Sequence, residues 1–151
     1  LEIFNNTTGQ SAVALVIEDI FAFQLLSTAA VQTYGVWAMV TTQKVAPTNT
    51  ALSIFSQSGL PLQATTAASR IITAVNTTVV ANGWRPYGVV QAWGLAAATP
   101  GNALVGPVDG RLIVPPLCSL CVTVVGSIAT ASSFTCGASW AELQLGTTLV
   151  V

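Results

Sequence analysis

The chain has 151 residues, a formal net charge of −1 and no histidine, with 52% of its residues hydrophobic and only 6% charged. That length suits one domain with a sizeable core, but ordinary soluble domains carry roughly a quarter charged residues. The four cations, Lys44, Arg70, Arg85 and Arg111, are too scattered for a basic stripe, so direct nucleic-acid contact is excluded.

Sparse charge fits either a surface buried against other subunits or a membrane. A spanning helix needs about 20 mostly apolar residues. The best candidate, residues 20–40, lacks charge but is interrupted by Gln24, Ser27, Thr28, Gln32, Thr33 and Gly35, and no basic cluster flanks it. The longest charge-free run, residues 112–141, holds Pro115, Pro116, Gly126 and Gly137 and makes a poor helix. No membrane span is expected. No basic segment precedes an apolar stretch at the start.

In chain order, residues 1–10 read as an N-terminal arm or an edge segment, ending in the turn cluster Asn5-Asn6-Thr7-Thr8-Gly9. Residues 11–151 then form one domain. Residues 11–17 read as a strand that Glu18-Asp19 breaks. Residues 20–26 are a second run, with Phe21 and Phe23 on one face. In residues 33–42, Tyr34, Val36, Ala38 and Val40 share one face, and Thr33, Trp37, Met39 and Thr41 share the other. Both faces are largely apolar, which predicts a strand covered on each side.

Residues 44–50 read as a loop, 51–56 as a strand and 58–61 as a turn. Residues 64–69 read as a loop or short helix. A strand follows from Arg70 to about residue 80, where Thr, Ile and Val favour extended backbone. Asn82-Gly83 is a turn signal, Trp84-Arg85-Pro86-Tyr87 a corner, 89–95 a strand and 96–109 a long loop.

Residues 110–145 organise the rest. Residues 111–114 form a short strand, and Pro115-Pro116 removes two backbone donors and marks a strand edge. Residues 117–125 are a core strand, 127–133 a small-residue turn and 134–145 the return strand of a terminal hairpin. Residues 147–151 are a last short segment. The pattern predicts an all-β, antiparallel β-sandwich, jelly-roll-like, with about eight to ten strands and at most one short helix.

Without histidine, no Ser-His or Cys-His nucleophile can be assembled. Glu18 and Asp19 are adjacent and face opposite ways on a strand. Asp109 could meet Glu142 across the terminal hairpin, but Asp109-Gly110 suits a turn. No catalytic residue, cofactor or metal is expected. Cys118, Cys121 and Cys136 are an odd set for a disulfide framework. Cys118 and Cys121 point to opposite strand faces and cannot bridge each other, whereas Cys136 could face either across the hairpin. Three small buried hydrophobes is the favoured reading. Asn5, Asn6 and Asn76 each head an Asn-x-Thr triplet, the acceptor pattern for glycosylation in a secretory route.

Two sets of residues are candidate surfaces. Trp140 and Glu142 share a strand face, and Glu142 pairs with an arginine (Arg111, Arg85 or Arg70) or stands as an edge charge beside a core Trp. Arg111, Trp140 and Glu142 therefore form a candidate interface. Trp84, Tyr87 and Trp93 are a candidate ligand surface, because aromatic faces stack on sugars; the alternative packs them in the core and a corner.

Gly110-Arg111-Leu112-Ile113-Val114-Pro115-Pro116, the small-residue strand pair after it, and Ser139-Trp140-Ala141-Glu142-Leu143 resemble the end of β-sandwich virion proteins of tailed bacteriophages. Capsid decoration (cement) proteins and head or tail spike subunits are of this kind. Leu117 stands where that pattern has a glycine. Upstream of Gly110 only the strand rhythm and the small polar composition agree. The resemblance implies a jelly-roll-like fold, homotrimers seated on a capsid or tail lattice in the virion, and no enzymatic activity. The partners would be copies of the chain, other capsid or tail proteins, and a host-surface glycan if the aromatic set binds one.

Composition points the same way. A chain so poor in charge would aggregate as a free monomer but is soluble in a closed ring. The arm, residues 1–10, would suit strand addition to a neighbour. A single jelly-roll major capsid protein and a carbohydrate- or receptor-binding module are the rival readings. A basic arm would favour the first rival, and none is visible.

Overall fold

A computed structural model of the chain describes residues 1–9, 12–26, 32–42, 70–73, 83–93, 103–126 and 133–146. These hold eight strands: β1 (Glu2–Asn5), β2 (Val13–Leu26), β3 (Gln32–Thr42), β4 (Arg70–Thr73), β5 (Arg85–Trp93), β6 (Ala103–Val114), β7 (Cys118–Gly126) and β8 (Ser133–Gln144). A five-stranded sheet runs β4-β1-β7-β3-β5 and a three-stranded sheet runs β6-β2-β8. Every pairing is antiparallel. The fold is an all-β sandwich, as the strand rhythm predicts, with no helix among the described residues. The readings for residues 44–50, 51–56, 58–61, 64–69, 74–82, 94–102, 127–132 and 147–151 lie outside the described residues.

Four expectations change. Glu2–Asn5 is no free arm: it is an interior strand, paired with β4 on one side and β7 on the other. Its Ile and Phe suit a pleated, buried surface, and all four residues are buried.

Glu18-Asp19 does not break the chain into two strands. It makes a bulge in one long strand, with the register shifting between Ile17 and Asp19. Two adjacent charges cannot both point outward in strict alternation. Extruding Glu18 lets Leu15 and Ile17 before it, and Ile20 and Ala22 after it, all face inward.

The strand before the double proline is longer than expected, starting at Ala103. Its prolines and glycines suggest a loop, but Leu104 and Val108 are buried while Val105 is exposed, a two-residue alternation. Pro107 is tolerated because β6 is an edge of its sheet. The Asp109-Gly110 turn survives as an excursion within β6, with φ of 51° and 72°. It sits opposite the β2 bulge, between the Leu112–Ile17 and Pro107–Asp19 pairs.

The terminal hairpin does not form either. β7 lies between β1 and β3, and β8 pairs with β2 in the other sheet. Long-range pairing therefore decides each strand's neighbour.

The core lies between the inner faces. Leu15, Ile17, Ile20, Leu104, Val108 and Val114 of the three-stranded sheet meet Ile3, Tyr34, Val36, Leu120 and Val122 of the five-stranded one. Each fully buried Val, Leu or Ile contributes about 1.5–3 kcal/mol relative to exposure. Tyr34 and Phe134 meet edge-on, with centroids 4.9 Å apart, and tie β3 to β8.

Asn5 latches the sheets together. Its Nδ2 donates to the carbonyls of Val13 (2.7 Å) and Val114 (3.0 Å), so a β1 side chain holds both β2 and β6. Its Oδ1 accepts from the Thr7 hydroxyl at 2.7 Å and the Thr7 N–H at 3.3 Å. Pro115-Pro116-Leu117-Cys118 then carries the chain from β6 to β7. The Cys118 N–H donates to Pro115 O at 3.2 Å, and Leu117 has φ 58°. Proline at the second position and positive φ at the third make this a type II turn, which favours glycine where Leu117 stands. The Leu117 N–H donates to Asn5 O at 2.7 Å, fixing the turn to β1.

Candidate interaction surface

In β2 the alternation sends Ile20, Ala22 and Gln24 inward and Phe21, Phe23 and Leu25 outward. The register sets Phe21 beside Val105 of β6 and Gly137 of β8. The Phe21 ring occupies the space a Cβ at Gly137 would need, so the aromatic covers a neighbouring glycine's bare backbone. Val16 pairs with Ile113 and Ala141, and Ala14 with Leu143. Phe21, Phe23, Leu25, Val105, Ile113 and Leu143 are 36% to 57% exposed. The three-stranded sheet thus turns an apolar face to solvent. Scattered surface hydrophobes are ordinary, but a contiguous patch marks an interaction site.

A polar belt crosses this face at the bulge. Glu18 is exposed there. Asp19 Oδ2 accepts from Ser139 Oγ at 3.4 Å. Arg111 folds onto its own turn, with Nε donating to Val108 O at 2.9 Å and Nη2 to Pro107 O at 3.2 Å. Arg111 Nη2 also lies 3.7 Å from Asp109 Oδ2, an exposed pair that solvent screens strongly. The three strands carry Glu18, Asp19, Asp109, Glu142 and Arg111, a net of −3. The remaining charges, Glu2, Lys44, Arg70 and Arg85, sum to +2.

The expected interface residues share this sheet but not one face. Arg111 stands on the outer side, bound to its own turn. Trp140 is half-buried against the core, opposite Ile17. Glu142 is opposite Leu15 at the exposed end of β8. β6 and β8 are separated by β2, so Asp109 and Glu142 are not strand neighbours. The aromatic set is dispersed too. Trp84 is half-buried just before β5, and Tyr87 packs against the core opposite Val36. Trp93 is at the other end of β5, opposite Gln32, roughly 20 Å along the strand from Tyr87.

Cys118 faces the core and Cys121 the opposite side of the five-stranded sheet, while Cys136 sits in the other sheet opposite Ala22. All three are free thiols. Burial raises the pKa of each, and burial together with the Glu2 carboxylate pushes Cys121 up to about 12. Thiols held neutral by burial are poor nucleophiles and ligands. Among the described residues no three of His, Cys, Asp and Glu converge to hold a metal ion. No helix among them is long and apolar enough to cross a membrane.

Asn5 cannot accept a glycan in the folded chain, because it is fully buried and its amide donates to two carbonyls. Asn6 is exposed, and Asn76 lies outside the described residues. The apolar outer face itself went unread in the sequence. Its signal was present as Phe21 and Phe23 on one strand face. Ile20 and Ala22 make the other face apolar too, and alternation alone does not say which face is covered. Comparison of the chain with known protein families, with curated proteins and with solved structures found no match to any of them.

Proposed function

We propose that this chain is a non-enzymatic structural subunit of a virus particle. It is a capsid decoration (cement) or spike protein with a jelly-roll-like sandwich, and it assembles through the outer face of β6-β2-β8. Its partners are further copies of itself, as a homotrimer, and the shell or tail proteins on which it sits. The observation that carries this reading is the apolar outer face, exposed on a chain with 6% charged residues. Such a face lowers the free energy when it meets a partner, by about 25 cal/mol per Å² of apolar area removed from water. The resemblance of residues 110–145 to phage virion proteins supplies the biological setting.

The test is the native mass of the wild-type chain and of Phe21→Asp. Phe21 is 41% exposed, so the substitution leaves the core in place and puts a charge on the proposed contact. A closed wild-type oligomer that Phe21→Asp dissociates is the expected result. A monomeric wild type overturns the reading.

A further inference from the structure

We infer that the occupant of the apolar face is a second copy of this chain, docked head to tail so that its Arg85 meets Glu18. This rests on the assembly reading above and specifies its partner and geometry. Two unpaired, opposite charges carry it. Glu18 is extruded from β2 by the bulge, is exposed, and has no hydrogen bond or ion pair among the described residues. Arg85 opens β5, the edge of the five-stranded sheet among the described residues, and is likewise exposed and without a partner among them. The other outward charges of the bulge already have partners: Arg111 with Asp109, and Asp19 with Ser139.

The charge distribution selects the orientation. A two-fold contact between equivalent faces would set the belt of Glu18, Asp19, Asp109 and Arg111, net −2, against its own copy. Like charges across an interface are strongly disfavoured. A head-to-tail contact instead brings the acidic belt against the exposed Arg85 at the start of β5. Such heterologous contacts close into rings when the rotation permits. Extension of the sheet at the Arg85 end is opposed by the exposed Pro86, which offers no N–H to an added strand. Docking onto the face, with Arg85 beside the belt that Glu18 occupies, satisfies both charges without continuing the sheet.

The experiment is a charge-swap set on the full chain: wild type, Glu18→Arg, Arg85→Glu, the double variant Glu18→Arg/Arg85→Glu, and Phe21→Asp. Mass is read by light scattering across a concentration series at low salt, with near-ultraviolet circular dichroism confirming the fold. Each single reversal is expected to raise the dissociation constant roughly tenfold or more, with the double variant recovering most of the loss. A double variant no better than the singles overturns the inference. So do reversals without effect while Phe21→Asp still dissociates the oligomer, and in that case the assembly reading stands. A wild type that is monomeric throughout removes both.

Discussion

The outer face of the five-stranded sheet carries Glu2, Phe4, Met39, Ser119 and Cys121, and each is at most 2% exposed. The outer face of the three-stranded sheet carries Phe21, Phe23, Leu25 and Val105, and each is at least 36% exposed. A carboxylate, a hydroxyl and a thiol are shielded from water, while phenylalanines and leucine meet it. Glu2 is accommodated by hydrogen bonding, with Ser119 Oγ donating to its Oε1 at 2.8 Å, as buried charge requires. The contrast separates two demands that composition merges. One sheet finds its cover within the single chain, and the other leaves an apolar face for something else to cover.

Substitutions on the two faces should diverge accordingly. Phe4→Ala removes a fully buried ring and is expected to lower stability by about 3–5 kcal/mol in urea unfolding. A loss below about 1 kcal/mol would mean that the outer side of β1 is not a packed core. Asn5→Ala tests the latch between the sheets. It removes the Asn5 amide from the carbonyls of Val13 and Val114 and its Oδ1 from the Thr7 N–H, while Thr7 Oγ1 still donates to Val13 O at 3.2 Å, at an expected cost of about 1–3 kcal/mol. Phe21→Asp is the counterpart on the exposed face. It is expected to change monomer stability by only about 1 kcal/mol while abolishing assembly. Equal destabilisation by Phe4→Ala and Phe21→Asp would erase the distinction between the faces.

Smaller effects sharpen the picture. Leu117→Gly relieves a positive φ and is expected to gain up to about 1 kcal/mol, whereas Leu117→Ala keeps the strain and gains nothing. A thermal-melt comparison of the two decides it. Cys121 supplies a pH signature. Its thiol keeps its proton in the fold up to about 12, while the unfolded thiol ionises near its ordinary value of 9.0. Stability is therefore intact below that value and falls as pH rises through this window. Cys121→Ala should flatten the fall, as read by unfolding midpoints between the two values.

Much of the fold was legible in the sequence because two-residue alternation is a strong signal where one face is buried. Residues 33–42 show this, since Tyr34, Val36 and Ala38 do face the core together. The misreadings share a cause. Local breaker chemistry points to a break at Glu18-Asp19, a loop at Gly106-Pro107 and a hairpin joining β7 to β8, and long-range pairing overrides each. The bulge kept β2 whole, the sheet edge admitted Pro107, and β7 and β8 found partners in different sheets. The candidate sites fared less well. Trp140 and Tyr87 were singled out as aromatics, and aromatics on half-buried strands serve the core before they serve a surface. The exposed face was spelled in plain hydrophobes, which a sequence alone cannot assign to inside or outside.

The most direct test is the native mass of the wild-type chain by light scattering at two protein concentrations. The same closed oligomer at both is the result predicted by an apolar face that is covered only on assembly. A stable, soluble monomer at both would contradict it.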